Sequence, residues 1–504
     1  MKKKILSILS ILLIFLMLHL ENKAQDTLQT NLTFEELVSL GLKQSHVIKQ
    51  TAFLKEQKEM ELKASRGIHF PKLELNANFV QMSEDLHLDL NPVKDAITPL
   101  YQSLSTYGSF SGVPNPSGGV LPDNISTQVM RGKLAEGLST INSANWDEMI
   151  QKKQFATVNL MATWPIFTGG KILASKEAAR IGVEDMTYVG SEKNNQLISE
   201  LVERYFGLCL AKQAEQVREE VMNAMLEHMQ DAEKMKDQGI VANVELLHAK
   251  VYYSEAEREF KKAKRNSIIT NKALVNSIGQ IDEIQINPLS NLFYLEEIEP
   301  IDYFIQEAIK NNPQLKQIES KKTLAEIGVK VETANYLPTI ALMGTYDVVN
   351  MDLSPYVPQW IVGIGLKWTI FDGTARMNKR KSAQMKVEQV NEFQQKANND
   401  VQTGIEKYYQ EIQMSLEQIQ ELNTANDFTE EYYRARQNAF REGIATSTEV
   451  VDAKLLLVKV KIEKLQAVYN FDVSLAKLLE LCGLSENFNI YQKSIKSIIE
   501  TFHN

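Results

Sequence analysis

The side chains that could do chemistry in this 504-residue chain are few and scattered. Its seven histidines form no His-x-x-x-His and no Glu pairing at metal-ligand spacing. Gly363-Ile364-Gly365 lacks the third glycine and the following helix of a dinucleotide loop, and no nucleophile motif appears. Cys209 and Cys482 each sit beside leucine, so two buried thiols filling apolar space are expected rather than a disulfide framework. Two carboxylates do have a positional meaning. Glu245 and Glu449 each follow a glycine, Gly239 or Gly443, that interrupts a long helical stretch. In the first turn of a new helix such a carboxylate stabilises by about 0.3–1 kcal/mol. Asp452 stands three residues past Glu449 on the same helix face, and His248 takes the matching place after Glu245. These residues can repel, pair or cap; they do not make an enzyme, and no cofactor or metal is expected. A formal net charge of −9 without a basic block also speaks against nucleic acid as a partner.

The elements that position these residues occur twice. Trp164, Ile166, Phe167 and Gly169 recur as Trp368, Ile370, Phe371 and Gly373, each 204 residues on (368 − 164). Gly239, Glu245, Ala249 and Lys250 recur as Gly443, Glu449, Ala453 and Lys454 at the same offset. Upstream, Lys43, Gln50, Pro71 and Phe79 answer Lys310, Gln317, Pro338 and Tyr346 at 267 (310 − 43), so the first copy carries 267 − 204 = 63 extra residues. This is a duplicated unit, far longer than a solenoid repeat of 20–50 residues.

Met1-Lys2-Lys3-Lys4 and the apolar run Ile5 to Leu20 have the order of a secretory signal, with cleavage expected after Ala24. The expected organisation is a signal peptide over 1–24, a first repeat over 25–285 and a second over 286–482. A tail covers 483–504, and an insertion of about 82–153 lies inside the first copy. No proline occurs between Ile166 and Asn287 or after Gln359, and apolar residues such as Leu197, Leu201, Tyr205 and Leu208 recur at helical spacing. Each copy should therefore hold a long helical hairpin, over 171–280 and 374–482, with new helices starting at Asn243 and Thr448. Strands are expected over about 70–82, 155–166, 338–349 and 358–371, because polar and apolar residues alternate there. About ten residues with one apolar and one wet face suit a strand that crosses an outer membrane. Trp164, Trp360, Trp368 and Tyr346 on the apolar faces suit an aromatic girdle at the lipid interface. Four such strands cannot close a barrel alone, since lipid forbids unpaired edges, so a spanning sheet would require several copies. The fold class is mainly α with a small β part.

The chain resembles the TolC-type outer-membrane efflux and secretion channels over essentially its whole mature length. Seven strings carry the likeness. Tyr336-Leu337-Pro338 opens a strand, while Trp164-Pro165-Ile166-Phe167-Thr168-Gly169-Gly170 and Trp368-Thr369-Ile370-Phe371-Asp372-Gly373 turn strands into helices. Gly239-Ile240-Val241-Ala242-Asn243-Val244-Glu245 and Gly443-Ile444-Ala445-Thr446-Ser447-Thr448-Glu449 form hairpin tips. Thr33-Phe34-Glu35-Glu36-Leu37 and Ala308-Ile309-Lys310-Asn311-Asn312-Pro313 mark the openings of the two copies.

The resemblance implies a trimer whose strands make a twelve-stranded outer-membrane barrel, continued by a twelve-helix tunnel in the periplasm. It further implies a periplasmic adaptor and an inner-membrane pump as partners. Carried over by position, the periplasmic gate falls on Glu449 and Asp452, with Glu245 and His248 as first-copy equivalents. Where the family often has a basic partner, this chain has Ala445, so an ionic lock would draw on Arg441 or Arg436. The adaptor-docking tips would be Gly239, Ile240 and Val241 with Gly443, Ile444 and Ala445. The insertion would lie at the extracellular end, as a lid over the mouth or as a tolerated loop. A periplasmic adaptor or a long-helix scaffold without a pore is the rival class; the first normally has one hairpin, and the second needs no four alternating strands with tryptophans at their ends.

Overall fold

The structure is a computed structural model that describes residues 28–279 and 284–499, so the expected signal peptide lies outside the described residues. The first copy comprises β1 (Leu28–Leu32), α1 (Phe34–Gln44), α2 (His46–Gly67), β2 (Lys72–Gln81), β3 (Leu86–Asp89), α3 (Asn91–Tyr107), α4 (Asp123–Ser143), β4 (Asp147–Gln151), β5 (Gln154–Phe167), α5 (Lys171–Asp237) and α6 (Asn243–Ser277). The second comprises β6 (Ile284–Pro288), β7 (Phe293–Leu295), α7 (Ile301–Asn311), α8 (Pro313–Ala334), β8 (Thr339–Met351), β9 (Trp360–Lys367), α9 (Ala375–Arg441) and α10 (Ser447–Cys482). A short α11 (Phe488–Gln492) and β10 (Ser497–Ile499) follow. The chain divides into a helical unit (up to Ser65, Ser175–Lys330 and from Asn378) and a sheet unit (Arg66–Ala174 and Val331–Met377).

In the helical unit, α5 and α9 each run 67 residues, roughly 100 Å at 1.5 Å per residue. Gly239 and Gly443 end them at φ 75° and 74°, a left-handed conformation that a side chain resists. The Ile240 and Ile444 N–H groups then close back on the Met235 and Ala439 carbonyls, both at 2.9 Å, as glycine-terminated helices do. The first restart falls at Asn243 as expected, whereas α10 starts at Ser447, one residue before Thr448. Thr446, not Thr448, caps α10: its hydroxyl accepts from Glu449 N–H while the Glu449 carboxylate accepts from Thr446 N–H, a full capping box. Before α6 the cap position is Ala242, which has no side-chain acceptor, and Asn243 lies inside the first turn.

Aromatic rings gather where the two copies meet. Phe34 packs on Tyr205, Phe206 and Phe488 with ring centroids 5.3–5.6 Å apart, and Phe206 reaches Phe293 at 6.3 Å. Edge-on contacts of this kind add to the burial energy. The Tyr205 hydroxyl donates to Leu32 O at 2.8 Å and accepts from Ser290 N–H at 2.9 Å. Burial pushes its pKa up to about 12. Cys209 and Cys482 are free and buried as expected, and burial raises both thiols, Cys482 to about 12. One core residue breaks the apolar rule: Asp472 is fully buried, with Phe293 N–H at 3.5 Å from Oδ2 and no hydrogen-bond partner for Oδ1 among the described residues. Burial holds its pKa well above the usual carboxylate range.

The sheet unit is antiparallel with strand order β2-β5-β8-β9, so β2 and β9 are open edges. Its register sorts the side chains cleanly. Leu73, Leu75 and Phe79 lie on one face with Leu160, Trp164, Tyr346, Trp360, Ile364 and Leu366, and all of them are exposed. Lys72, Glu74, Asn76, Asn159, Thr163, Thr345, Asp347 and Lys367 share the other face. Met161 falls on this polar face, beside Glu74 and Thr345. Met343 lies there too, opposite Gly363, and its Cε reaches to the diagonal Gly365, 2.6 Å from where a Cβ would stand.

The 63-residue excess forms a stem of paired β3 and β4 carrying α3 and α4. Gln151 in that stem accepts from Ser354 N–H at 2.7 Å, and Lys152 pairs with Asp352, tying it to the β8–β9 turn. The Pro, Gly and Ser content of 91–123 marks it as irregular, yet 91–107 is helical. Pro92 is compatible with that because the first turn needs no intrahelical N–H donor. Likewise Gln128–Ile141, which the sequence suggests as a short helix, belongs to the longer α4 over Asp123–Ser143.

Candidate functional site

The site lies at the tips of the two long hairpins, where α5, α6, α9 and α10 converge. Ala232, Leu246, Ala249, Phe440 and Val450 form a small buried cluster there, with Ala445 packed against it. Gly443 approaches Ile240 Cγ2 to 4.0 Å as measured from where its Cβ would be, so the two tips stand side by side. Beyond the cluster, Ile240 and Ile444 project into solvent, 57% and 77% exposed. The tip residues expected to dock a partner are therefore a pair of aliphatic knobs on tightly closed turns.

Glu449 serves two partners. Its Oε2 accepts from Thr446 N–H at 2.8 Å and from the hydroxyl at 3.1 Å, and its Oε1 meets Arg436 Nη1 at 3.3 Å. The Thr446 bonds, and to a lesser degree Arg436, hold its carboxyl below the usual range. Of the two cations considered for the place that Ala445 leaves vacant, Arg436 is thus the one on Glu449. Arg441 instead meets Glu227 at 2.9 Å and Asp231 at 3.8 Å. Asp452 is exposed on α10. Glu245 accepts from Ser447 N–H at 3.1 Å and so joins the two hairpins. His248 is exposed, its ring edge-on to Tyr252 at 6.5 Å, and it stays apart from that link.

The buried histidine of the tip is His228, on α5. Its Nε2 lies 2.6 Å from Ser447 Oγ and its ring 4.6 Å from the Phe440 ring. Sequence reading passed over it, although a signal was present: Val217, Val221, Met225, His228 and Ala232 form one buried helical stripe, with histidine in an apolar place. Further along α10, Lys454 stacks over Tyr433 at 4.7 Å, and burial lowers its pKa. Among the described residues no cluster of His, Cys, Asp and Glu could hold a metal ion.

Two of the expected girdle tryptophans have a structural duty repeated in both copies. Trp164 Nε1 donates to His69 O at 2.9 Å, and Trp368 Nε1 donates to Tyr336 O at 3.1 Å. His69 and Tyr336 are themselves 267 residues apart (336 − 69), so the repeat preserves donor and acceptor together. Each bond fastens the end of one strand to the turn that opens its neighbour. Trp360 and Tyr346 lie directly opposite each other in β9 and β8, both exposed on the apolar face.

Residues 304–484 match the family described as Outer membrane efflux protein. No curated protein sequence matches it. Among solved structures, the CmeC outer membrane channel of Campylobacter jejuni aligns with a TM-score of 0.63 at 16% identity, covering 91% of this chain and 89% of that one. The outer membrane protein VceC of Vibrio cholerae aligns at 0.64 and 12% identity, over 89% and 96%. The open-state MtrE outer membrane channel of Neisseria gonorrhoeae aligns at 0.59 and 15%, over 90% and 89%. At such identities the likeness is one of fold. Among the described residues no helix is long and apolar enough to cross a membrane.

Proposed function

We propose that three copies of this chain close their sheets into one twelve-stranded barrel and their helices into a tunnel that crosses the periplasm. The observation that carries this reading is the open four-stranded sheet, apolar and exposed on one face and polar on the other. In lipid an unpaired strand edge is prohibitive, and pairing β9 of one copy with β2 of the next removes both edges by rotation. Trp164, Trp360, Trp368 and Tyr346 then stand where aromatic side chains favour the interface. The insertion lies at the outer mouth as a lid. The aliphatic tips receive a periplasmic adaptor that couples the tunnel to an inner-membrane pump. Drugs, small toxic compounds or secreted peptides and proteins are the cargo classes such a path admits. Extraction of the outer membrane in detergent is expected to yield a heat-resistant trimer with single-channel conductance; recovery as a soluble monomer in the periplasm would overturn the reading.

Glu449 and Asp452 lie three residues apart on α10, so three copies bring six carboxylates to the tunnel entrance. We expect Glu449→Ala with Asp452→Ala to raise single-channel conductance several-fold by removing charge and the Arg436 tie. The double variant also loses a capping box, about 1 kcal/mol of helix stability, so Asp452→Asn alone serves as the control. Unchanged conductance in both would remove these residues from the gate.

A further inference from the structure

The hairpin tips are joined by a contact that the repeat does not provide. The place in α9 that answers His228 at 204 residues is Tyr432 (228 + 204), a half-buried residue stacked with Phe428. His228 is 7% exposed and Ser447 fully buried, so their 2.6 Å contact is shielded from water. Ser447 is also the first residue of α10, and its N–H donates to Glu245 of α6. One residue of the second hairpin is thereby held by both helices of the first.

Resting on the channel reading above, we propose that His228, Ser447 and Glu245 form a clasp that keeps the hairpin tips together, and that protonation of His228 releases it. Neutral imidazole fits its surroundings: the Phe440 ring covers one side and the Ser447 hydroxyl meets Nε2. A second proton adds a positive charge in a space closed to solvent, and a buried charge must be paired or expelled. The charged groups facing it are Asp231 on its own helix and Glu245 on α6. From α9 comes Arg441, which is engaged with Glu227 and Asp231. From α10 the neighbour is the neutral Ser447, while Glu449 is turned to Arg436. The two carboxylates favour the proton, but burial is the larger effect and lowers the histidine's pKa. Expulsion of the imidazolium separates α5 from the start of α10, and with it the first hairpin from the second. His228 is a positioning residue in this scheme: it touches no cargo and acts by holding α10 in place.

The test uses the full chain extracted in detergent, with spin labels on Ile240→Cys and Ile444→Cys; the buried Cys209 and Cys482 stay unlabelled. Lowering the pH from 7.5 to 5 is expected to lengthen the tip-to-tip distance. Above the titration midpoint the released population should rise about tenfold per pH unit. His228→Gln, which can still bond Ser447 but does not titrate in this range, should keep the short distance throughout, and His228→Ala should show the long one at pH 7.5. A wild-type distance unchanged by pH, or a His228→Gln profile identical to wild type, would overturn the clasp. Conductance on the same samples separates the two readings. Channels that conduct without pH-dependent tip separation defeat the clasp alone, whereas tip separation in a protein that never conducts supports the clasp and defeats the channel.

Discussion

Ile444→Asp is expected to abolish export while leaving the fold and outer-membrane extraction intact. Ile444 is 77% exposed and stands outside the buried tip cluster, so folding loses almost no apolar contact when it is changed. The new carboxylate would lie just past the C-terminal end of α9, where the helix dipole disfavours it by only about 0.3–1 kcal/mol. Docking is another matter. A partner that covers an aliphatic knob must desolvate a charge instead, which costs several kcal/mol if the charge stays unpaired, and more than a hundredfold in affinity follows from about 3 kcal/mol. Growth of cells carrying the variant against toxic compounds would measure this, with recovery of the folded protein in the outer-membrane extract as the folding control. Full resistance with Ile444→Asp would show that the knob docks nothing.

The second large effect concerns Asp472. Its pKa in the folded protein lies well above the usual range because it is buried, whereas in the unfolded chain it is near the model-peptide value of about 3.9. A group raised by folding adds stability below its unfolded pKa and loses it as pH rises towards the folded pKa. Wild-type protein therefore loses about 1.4 kcal/mol for each pH unit in that window. Asp472→Asn keeps an oxygen for Phe293 N–H and cannot ionise. Its stability curve should be flatter, close to wild type at pH 4 and above it at pH 7.5. Denaturant unfolding of the extracted protein at both values tests the sign; parallel curves would place the titration elsewhere.

What could be read from the chain was what short stretches decide for themselves. Alternation in 72–79 and 360–368 reports a strand because successive side chains point to opposite faces. Gly239 and Gly443 report helix ends because only glycine adopts a positive φ at little cost. The Thr446 and Glu449 capping box is equally local, and reading Thr448 as the start missed a Thr-x-x-Glu signature that stood in view. The helix at 91–107 was obscured by its composition: Pro92 suits a first turn, but Pro99 lies inside the helix and argues against it.

The candidate site divides along the same line. Sequence placed Glu245, Glu449 and the aliphatic tips, because position in a repeat and helix boundaries are properties of the chain. It could not say that Arg436 rather than Arg441 reaches Glu449, since 13 residues along a hairpin bring two side chains together only when both helices have their final rotation. Nor could it join His228 to Ser447, which are 219 residues apart. Sequence by itself determined the duplicated frame, the strand faces, the helix lengths and the absence of catalytic motifs, all of which rest on local conformational preference and periodicity. The tertiary structure alone decided which strands are edges, which histidine is buried and which cation meets which carboxylate. Those depend on contacts between distant segments, whose energies no short stretch of chain contains.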